Sequence, residues 1–333
     1  MKKNEAFRYS VSPSDTGYQN PLARCDAPDP CIRYDDESGY YYGIHTGHTT
    51  LTMYRAKRIA TLFSEGERRV IYEAKDADGT YGFLWAPEFH KLDGVWYIYT
   101  STHEKGNTGV KHLICLVANT GDPFEGFRFA AHIHPDIYAI DPTVYKDPTS
   151  GRLFLCSSVV EGNCQKLAIE ELRTPTTPAA SAPRVISEPT LDWELIPPHD
   201  RTGWAINEGA YFIAREGRLF IVYSANGCWI DDYVFGILEL VGEDPLDPAA
   251  WQKQDTPFMT KGNGVFGPGH ATFFASPSGD ELWMCYHALA KSNPSKEPAP
   301  RYPAIQPVLF DETGFPHVGG VPLPQGVTFA EPS

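Results

Sequence analysis

The sequence predicts an all-β protein folded as a five-bladed propeller, and two observations carry that expectation. The first is a module that occurs five times: a polar residue, a short apolar strand, a turn containing Gly, then a second apolar strand. The second is composition. Gly and Pro number 29 each in 333 residues and aromatics make up 13%, which suits many tight turns and sheets packed face to face.

In chain order, Asp29-Pro30-Cys31-Ile32 leads through Gly39 to Tyr40-Tyr41-Tyr42. Glu88-Phe89-His90 leads through Asp93-Gly94 to Val95-Trp96-Tyr97-Ile98-Tyr99-Thr100. Asp141-Pro142-Thr143-Val144-Tyr145 leads through Gly151 to Leu153-Phe154-Leu155-Cys156-Ser157. Ile206-Asn207-Glu208-Gly209 opens the fourth module, which turns at Gly217 into Leu219-Phe220-Ile221-Val222-Tyr223. His270-Ala271-Thr272-Phe273-Phe274 opens the fifth, which turns at Gly279 into Leu282-Trp283-Met284-Cys285-Tyr286. The leading residues stand at 29, 88, 141, 208 and 270, so the steps are 59, 53, 67 and 62. Modules of that size cannot bury their own faces and must pack on neighbours.

The blades are expected at about 25–73, 84–129, 138–171, 204–251 and 266–318, within a single domain over residues 21–333. Residues 1–20 read as a polar N-terminal arm, and the Pro-rich tail as an extended segment that closes the ring near blade one. Residues 173–203, rich in Pro, Ala and Thr, read as a long loop. Through Trp193 and Trp204 it is expected to border the substrate mouth.

The first strand of each propeller blade lines the central channel, so the residues that open those strands converge at one end of it. Here four of the five are acidic and the fifth is His270. Hydrolysis of a glycosidic bond needs one carboxylic acid to protonate the leaving oxygen and one carboxylate to activate water or attack carbon. Like charges held close together raise one another's pKa, which keeps the acid protonated.

Composition narrows the partners. Net charge is −14 with no block of Lys or Arg, which argues against nucleic acid and anionic membranes and for a small neutral ligand. No apolar run approaches the length of a membrane span. Seven scattered cysteines without paired spacing, and a polar start without a signal-like core, predict reduced thiols in the cytoplasm. His45 and His48 lie in strand and turn, with no helix to align them on zinc.

Several segments, in order over about residues 22–325, resemble the signature positions of glycoside hydrolase family 43. They are Asp29-Pro30 ahead of Ile32, Trp85-Ala86-Pro87-Glu88 with Gly94–Tyr99, Ile140-Asp141-Pro142, Asn207-Glu208-Gly209 and Gly267-Pro268-Gly269-His270. The resemblance implies a five-bladed propeller that hydrolyses arabinofuranosides, xylosides or arabinan with inversion. It implies Asp29 as general base, Glu208 as general acid and Asp141 as the residue that tunes the acid. Trp-Ala-Pro-Glu looks most like the arabinofuranosidase and exo-arabinanase branches. The expected activity is therefore an exo-acting α-L-arabinofuranosidase on arabino-oligosaccharides or arabinan side chains. β-Xylosidase and endo-arabinanase are the neighbouring readings, and a sugar-binding propeller without catalysis is the rival from another class.

Around the three carboxylates, Trp85 reads either as an aromatic wall to the sugar pocket or as core packing, and Trp204 is expected to border the sugar. Glu88 reads either as a substrate contact or as support for the start of its blade. Arg301 resembles an arginine that holds sugar hydroxyls in some relatives, with surface solvation as the competing explanation. The histidine matching His270 contacts an axial water or a calcium ion in many relatives. The resemblance thus leaves a water-mediated calcium open there, while the chemistry requires no cofactor. Oligomeric state is not written in the sequence.

Overall fold

The computed structural model describes residues 13–196, 204–289, 291–295 and 297–333. Strands dominate them, broken only by short 3-10 turns, and no helix is long and apolar enough to cross a membrane.

The strands fall into antiparallel sets that follow the sequence modules. The first set is Cys31–Asp35, Tyr40–Ile44, Thr50–Ala56 and Glu67–Glu73. The second is Glu88–Leu92, Val95–Glu104, Asn107–Ala118 and Phe127–Ile133. Ala139–Lys146, Leu153–Glu161 and Cys164–Thr174 form the third, edged by Arg184–Ser187. The fourth is Ala205–Arg215, Arg218–Ala225, Val234–Leu240 and Trp251–Lys253. Phe266–Ala275, Leu282–Leu289, Arg301–Phe310 and Pro316–His317 make the fifth. A short parallel pairing of Cys164 with Ala205 and Gln165 with Ile206 joins the third and fourth sets into one nine-stranded sheet.

Local sequence explains the hairpins. Asp93-Gly94 and Glu216-Gly217 each place two successive residues at positive φ (50° and 81°, 51° and 79°). That is the turn whose twist matches two antiparallel strands, and Gly is the residue that enters it without strain.

Apolar side chains of neighbouring sets meet in wedges. Tyr42 and Met53 of the first set pack with Phe89 and Trp96 of the second. Tyr99 and Leu113 meet Val144 and Leu155 of the third. Phe154 and Ile169 meet Phe212 and Ile221 of the fourth. Phe220 and Phe235 meet Phe273 and Tyr286 of the fifth. Ile32 and Tyr41 of the first set pack with Phe274 and Trp283 of the fifth. The opening strands pack on one another in the same order, and the fifth lies against the first.

Between the sets lies the half-buried Arg33. It donates to Phe89 O (3.2 Å), to Phe273 O and to the Tyr211 hydroxyl, so one guanidinium ties the first set to the second, fourth and fifth.

The strand Pro13–Gln19 pairs with Thr328–Phe329, and Tyr18 is buried in the wedge between the first and fifth sets. Residues 1–12 of the expected arm lie outside the described residues. The reading of 173–203 as one long loop needs correction. Arg184–Ser187 pairs with Cys164–Thr174 and buries Ile186, in a strand too short to show a period in sequence. Residues 197–203 of that stretch lie outside the described residues.

Candidate active site

The opening strands begin in a shared, strained way. Asp29, Asp141 and His270 sit at φ 55°, 55° and 52°, and Gly209, directly after Glu208, at 59°. Left-handed backbone is uncommon for residues other than Gly and persists only where surrounding contacts hold it. Strand register slips at the same places: between Ile140 and Thr143, between Glu208 and Tyr211, and between Gly269 and Thr272. An extra residue in one strand re-aims the side chains beside it. Asp29, ahead of a strand that pairs in regular register, meets the other two here: His270 Nδ1 lies 3.6 Å from Asp29 Oδ1 and 3.8 Å from Asp141 Oδ2.

Asp29 is surrounded by donors and positive charge. Arg301 Nη1 donates to its Oδ1 at 3.1 Å, and the Thr46 hydroxyl donates to Oδ2 at 2.5 Å. Thr46 in turn accepts the Ala86 N–H (2.7 Å), which links Asp29 to the start of the second set. The Asp29 backbone N–H donates to His287 Nδ1 at 3.1 Å. Burial works to raise the Asp29 pKa, but the Arg301 charge outweighs it and holds the carboxyl well below the usual range. Burial in turn pushes His287 down to about 4, so its imidazole is neutral.

Glu208 has the opposite environment. Burial pushes its pKa up to about 7, and the nearby Asp29 charge adds to this, against hydrogen bonds from Tyr233 and Gln165. Tyr233 OH donates to Oε1 at 2.9 Å and Gln165 Nε2 to Oε2 at 3.1 Å. Asp141 accepts the Gly209 N–H at 3.0 Å, yet burial and the charges of Glu208 and Asp29 raise it well above its ordinary value. One cluster thus holds a carboxyl that stays ionised and another that keeps its proton toward neutrality. That is the division of labour acid–base hydrolysis requires.

Other expected residues fare differently. Arg301 belongs to the cluster through Asp29, and the surface reading gives way to this contact. Glu88 is almost fully buried, with Oε2 2.9 Å from His90 Nε2 beside Arg33, and burial pushes its pKa up to about 8. Its contact with His90 joins it to the buried side chains beneath the opening strands. Trp85 is half-buried, its ring against Phe83 at 5.3 Å and under Lys111 Nζ at 4.2 Å. Trp204 is half-buried, just ahead of the fourth set.

The side chains around His270 do not by themselves make a calcium site. Such a cation takes about six to eight oxygens. The carboxylates nearest His270 are already engaged by Arg301, Thr46 and Gly209. Among the described residues no group of three His, Cys, Asp or Glu side chains is placed to hold a metal. His270 is buried, which lowers its pKa against the pull of Asp29, and it stacks on His287 at 6.3 Å.

Thr46, Gln165, Tyr233 and His287 were invisible in the sequence. Each sits inside a strand or loop, and only the packing of the sets aims it at a carboxylate.

The profile of glycosyl hydrolases family 43 matches residues 18–316. The chain belongs to that family. It is 29% identical over 331 residues to an extracellular exo-alpha-(1->5)-L-arabinofuranosidase of Streptomyces avermitilis, covering 96% of this chain and 66% of that protein. The chain thus spans a little under two thirds of that relative's length. A protein of the same name from Streptomyces chartreusis is 28% identical over 289 residues, 84% of each chain. Among solved structures, an alpha-L-arabinofuranosidase from Lactobacillus brevis superposes with a TM-score of 0.80 at 26% identity, covering 93% of this chain and 98% of that one.

These relatives overturn the cytoplasmic expectation, because both Streptomyces proteins are named extracellular. The cysteines misled for a physical reason. Cys31, Cys115, Cys156 and Cys285 are buried, and burial pushes the thiol pKa up, to about 12 at Cys31. A thiol shielded in that way is inert in either compartment and does not report on it.

Proposed function

We propose that the chain is a five-bladed propeller, one domain over residues 21–333 with residues 1–20 as an arm. In this reading it is an inverting exo-glycosidase that releases terminal α-L-arabinofuranosyl units from arabino-oligosaccharides or arabinan side chains. The observation that carries the chemistry is the contrast between Asp29, held ionised by Arg301, and Glu208, kept protonated by burial. The wedge between the fifth and first sets supports the propeller. The names of the Streptomyces and Lactobacillus brevis relatives support the sugar.

The reaction is a single displacement. Water attacks the anomeric carbon as Asp29 takes its proton, and Glu208 gives its proton to the departing oxygen. Asp141, which accepts the N–H of Gly209 beside the acid and interacts electrostatically with Glu208, is the residue that tunes the acid's pKa in this reading. Inversion calls for about 6.5–9.5 Å between base and acid, enough for the water.

A panel of 4-nitrophenyl α-L-arabinofuranoside, β-D-xyloside and β-D-galactofuranoside, with linear arabino-oligosaccharides, tests this. Arabinose released one unit at a time, with the β-anomer formed first from the α-linkage, is the expected result. Preferential xyloside cleavage would move the chain to the β-xylosidases, and internal cuts to the endo-arabinanases. Sugar binding without release at any pH would make it a lectin. Asp29→Ala should inactivate the enzyme on every substrate. Glu208→Ala should keep activity on aryl glycosides with very good leaving groups and lose it on oligosaccharides.

A further inference from the structure

Glu194 lies in the connection between the third and fourth sets and is completely buried. Its carboxylate is saturated. Oε2 accepts the Thr190 and Leu191 N–H groups (2.8 and 2.9 Å), and Oε1 accepts Asn207 Nδ2 and Tyr223 OH (both 2.9 Å). Lys253 Nζ, from the last strand of the fourth set, lies 2.9 Å from both oxygens. Lys253 also donates to Asn207 Oδ1 at 3.4 Å and to Glu188 O at 2.7 Å. The ion pair therefore grips both ends of the Asn207 amide.

Asn207 immediately precedes Glu208, where regular pairing with the neighbouring strand is interrupted. The Asn207 backbone carbonyl accepts the Ser158 hydroxyl at 2.8 Å, and that hydroxyl also accepts from Gln165 Nε2 at 3.3 Å. Gln165 Nε2 donates to Glu208 Oε2 as well. A closed circuit thus runs from Glu194 through Asn207, Ser158 and Gln165 to the Glu208 carboxylate, with each of these supporting side chains buried. Burying a charge pair for stability alone is a poor bargain, since apolar residues of the same volume often do as well. Two charged partners can, however, fix an amide in one orientation through oppositely polarised ends.

We infer that Glu194 is a positioning residue for the general acid, acting with Lys253 through Asn207 to aim Glu208 at the leaving oxygen. The inference rests on the reading of Glu208 as the acid. A misaimed acid matters only where the leaving group needs a proton, so the signature is dependence on leaving group. A purely structural defect would reduce turnover of all substrates alike.

The test compares Glu194→Gln, Asn207→Ser and Glu208→Ala on an arabino-oligosaccharide and on 2,4-dinitrophenyl α-L-arabinofuranoside, with thermal unfolding recorded for each. Glu194→Gln and Asn207→Ser should lose about 10–100-fold in kcat on the oligosaccharide, with KM little changed. On the dinitrophenyl substrate they should stay within about threefold of the parent. Equal losses on both substrates, or no loss on either, would overturn the positioning role. Asn207→Ser leaves the Glu194–Lys253 pair in place, so it decides the question if Glu194→Gln does not fold. If Glu208→Ala itself shows no dependence on leaving group, the acid assignment falls first. If it does and the other two variants do not, only the present inference falls.

Discussion

At the scale of single residues, two carboxylates, Asp29 in left-handed backbone and Glu208 directly before the left-handed Gly209, are driven in opposite directions by what touches them. Asp29 has a guanidinium and a hydroxyl, whereas Glu208 has a phenol, an amide and little solvent. The consequence for rate is a profile of kcat/KM that falls as pH rises through about 7, where Glu208 loses its proton. Its acid limb lies below the ordinary carboxylate range, because Arg301 keeps Asp29 ionised. Arg301→Met should move that acid limb upward. There is also a consequence for stability. A carboxyl whose pKa is raised by folding contributes fully below its unfolded pKa and loses that contribution as pH rises through its folded pKa. Glu208→Gln should therefore unfold at a higher temperature than the parent above pH 7, with the gap closing toward pH 4. A gap independent of pH would contradict the raised pKa. The carboxylates themselves were legible, because each opens a repeated module. Their protonation was not, since Arg301, His287 and Thr46 come from distant segments that nothing local connects to Asp29.

At the scale of the strand, the site depends on irregularities more than on regular pairing. Gly269 shows why. A Cβ built there would lie 1.7 Å from the Tyr233 ring, the same ring whose hydroxyl holds Glu208. Gly269→Ala should displace Tyr233 and cut oligosaccharide turnover by about tenfold or more, since small misplacements of a reacting group are costly. Steady-state kinetics on the folded variant would check this, and parental kcat would refute it. Hairpins could be read directly from Asp93-Gly94 and Glu216-Gly217, because a two-residue turn is specified by its own residues. The register slips at Asp141, Glu208 and His270 could not. A bulge is defined by the partner strand, and the sequence of one strand does not name its partner.

At the scale of the whole molecule, the modules place their apolar faces against each other, and the last wedge joins the two ends of the chain. Tyr18, 1% exposed, packs edge-on against Trp283 (5.7 Å) and beside Phe329. Tyr18→Ala should cost about 3–5 kcal/mol of stability, the usual loss on truncating a buried aromatic residue. It should lower the thermal midpoint while KM of the folded enzyme stays unchanged. A variant of parental stability would show that this seam carries little of the fold. The repeat was readable because each module recurs at similar length and with similar strand order. Who covers the edges was not, as the pairing of Pro13–Gln19 with Thr328–Phe329 spans nearly the entire chain.

Asp29 faces Arg301, His287 and His270 across the junction where first and last sets meet, whereas Asp141 and Glu208 belong to sets fused into one continuous sheet. If Asp29 and Glu208 act as proposed, loosening the termini would strip the nucleophilic water of its base while leaving the proton donor in place. Catalysis should vanish before bulk unfolding is seen. A circularly permuted gene that reopens the chain elsewhere, and makes this junction covalent, should shift the temperature of inactivation up toward that of global melting.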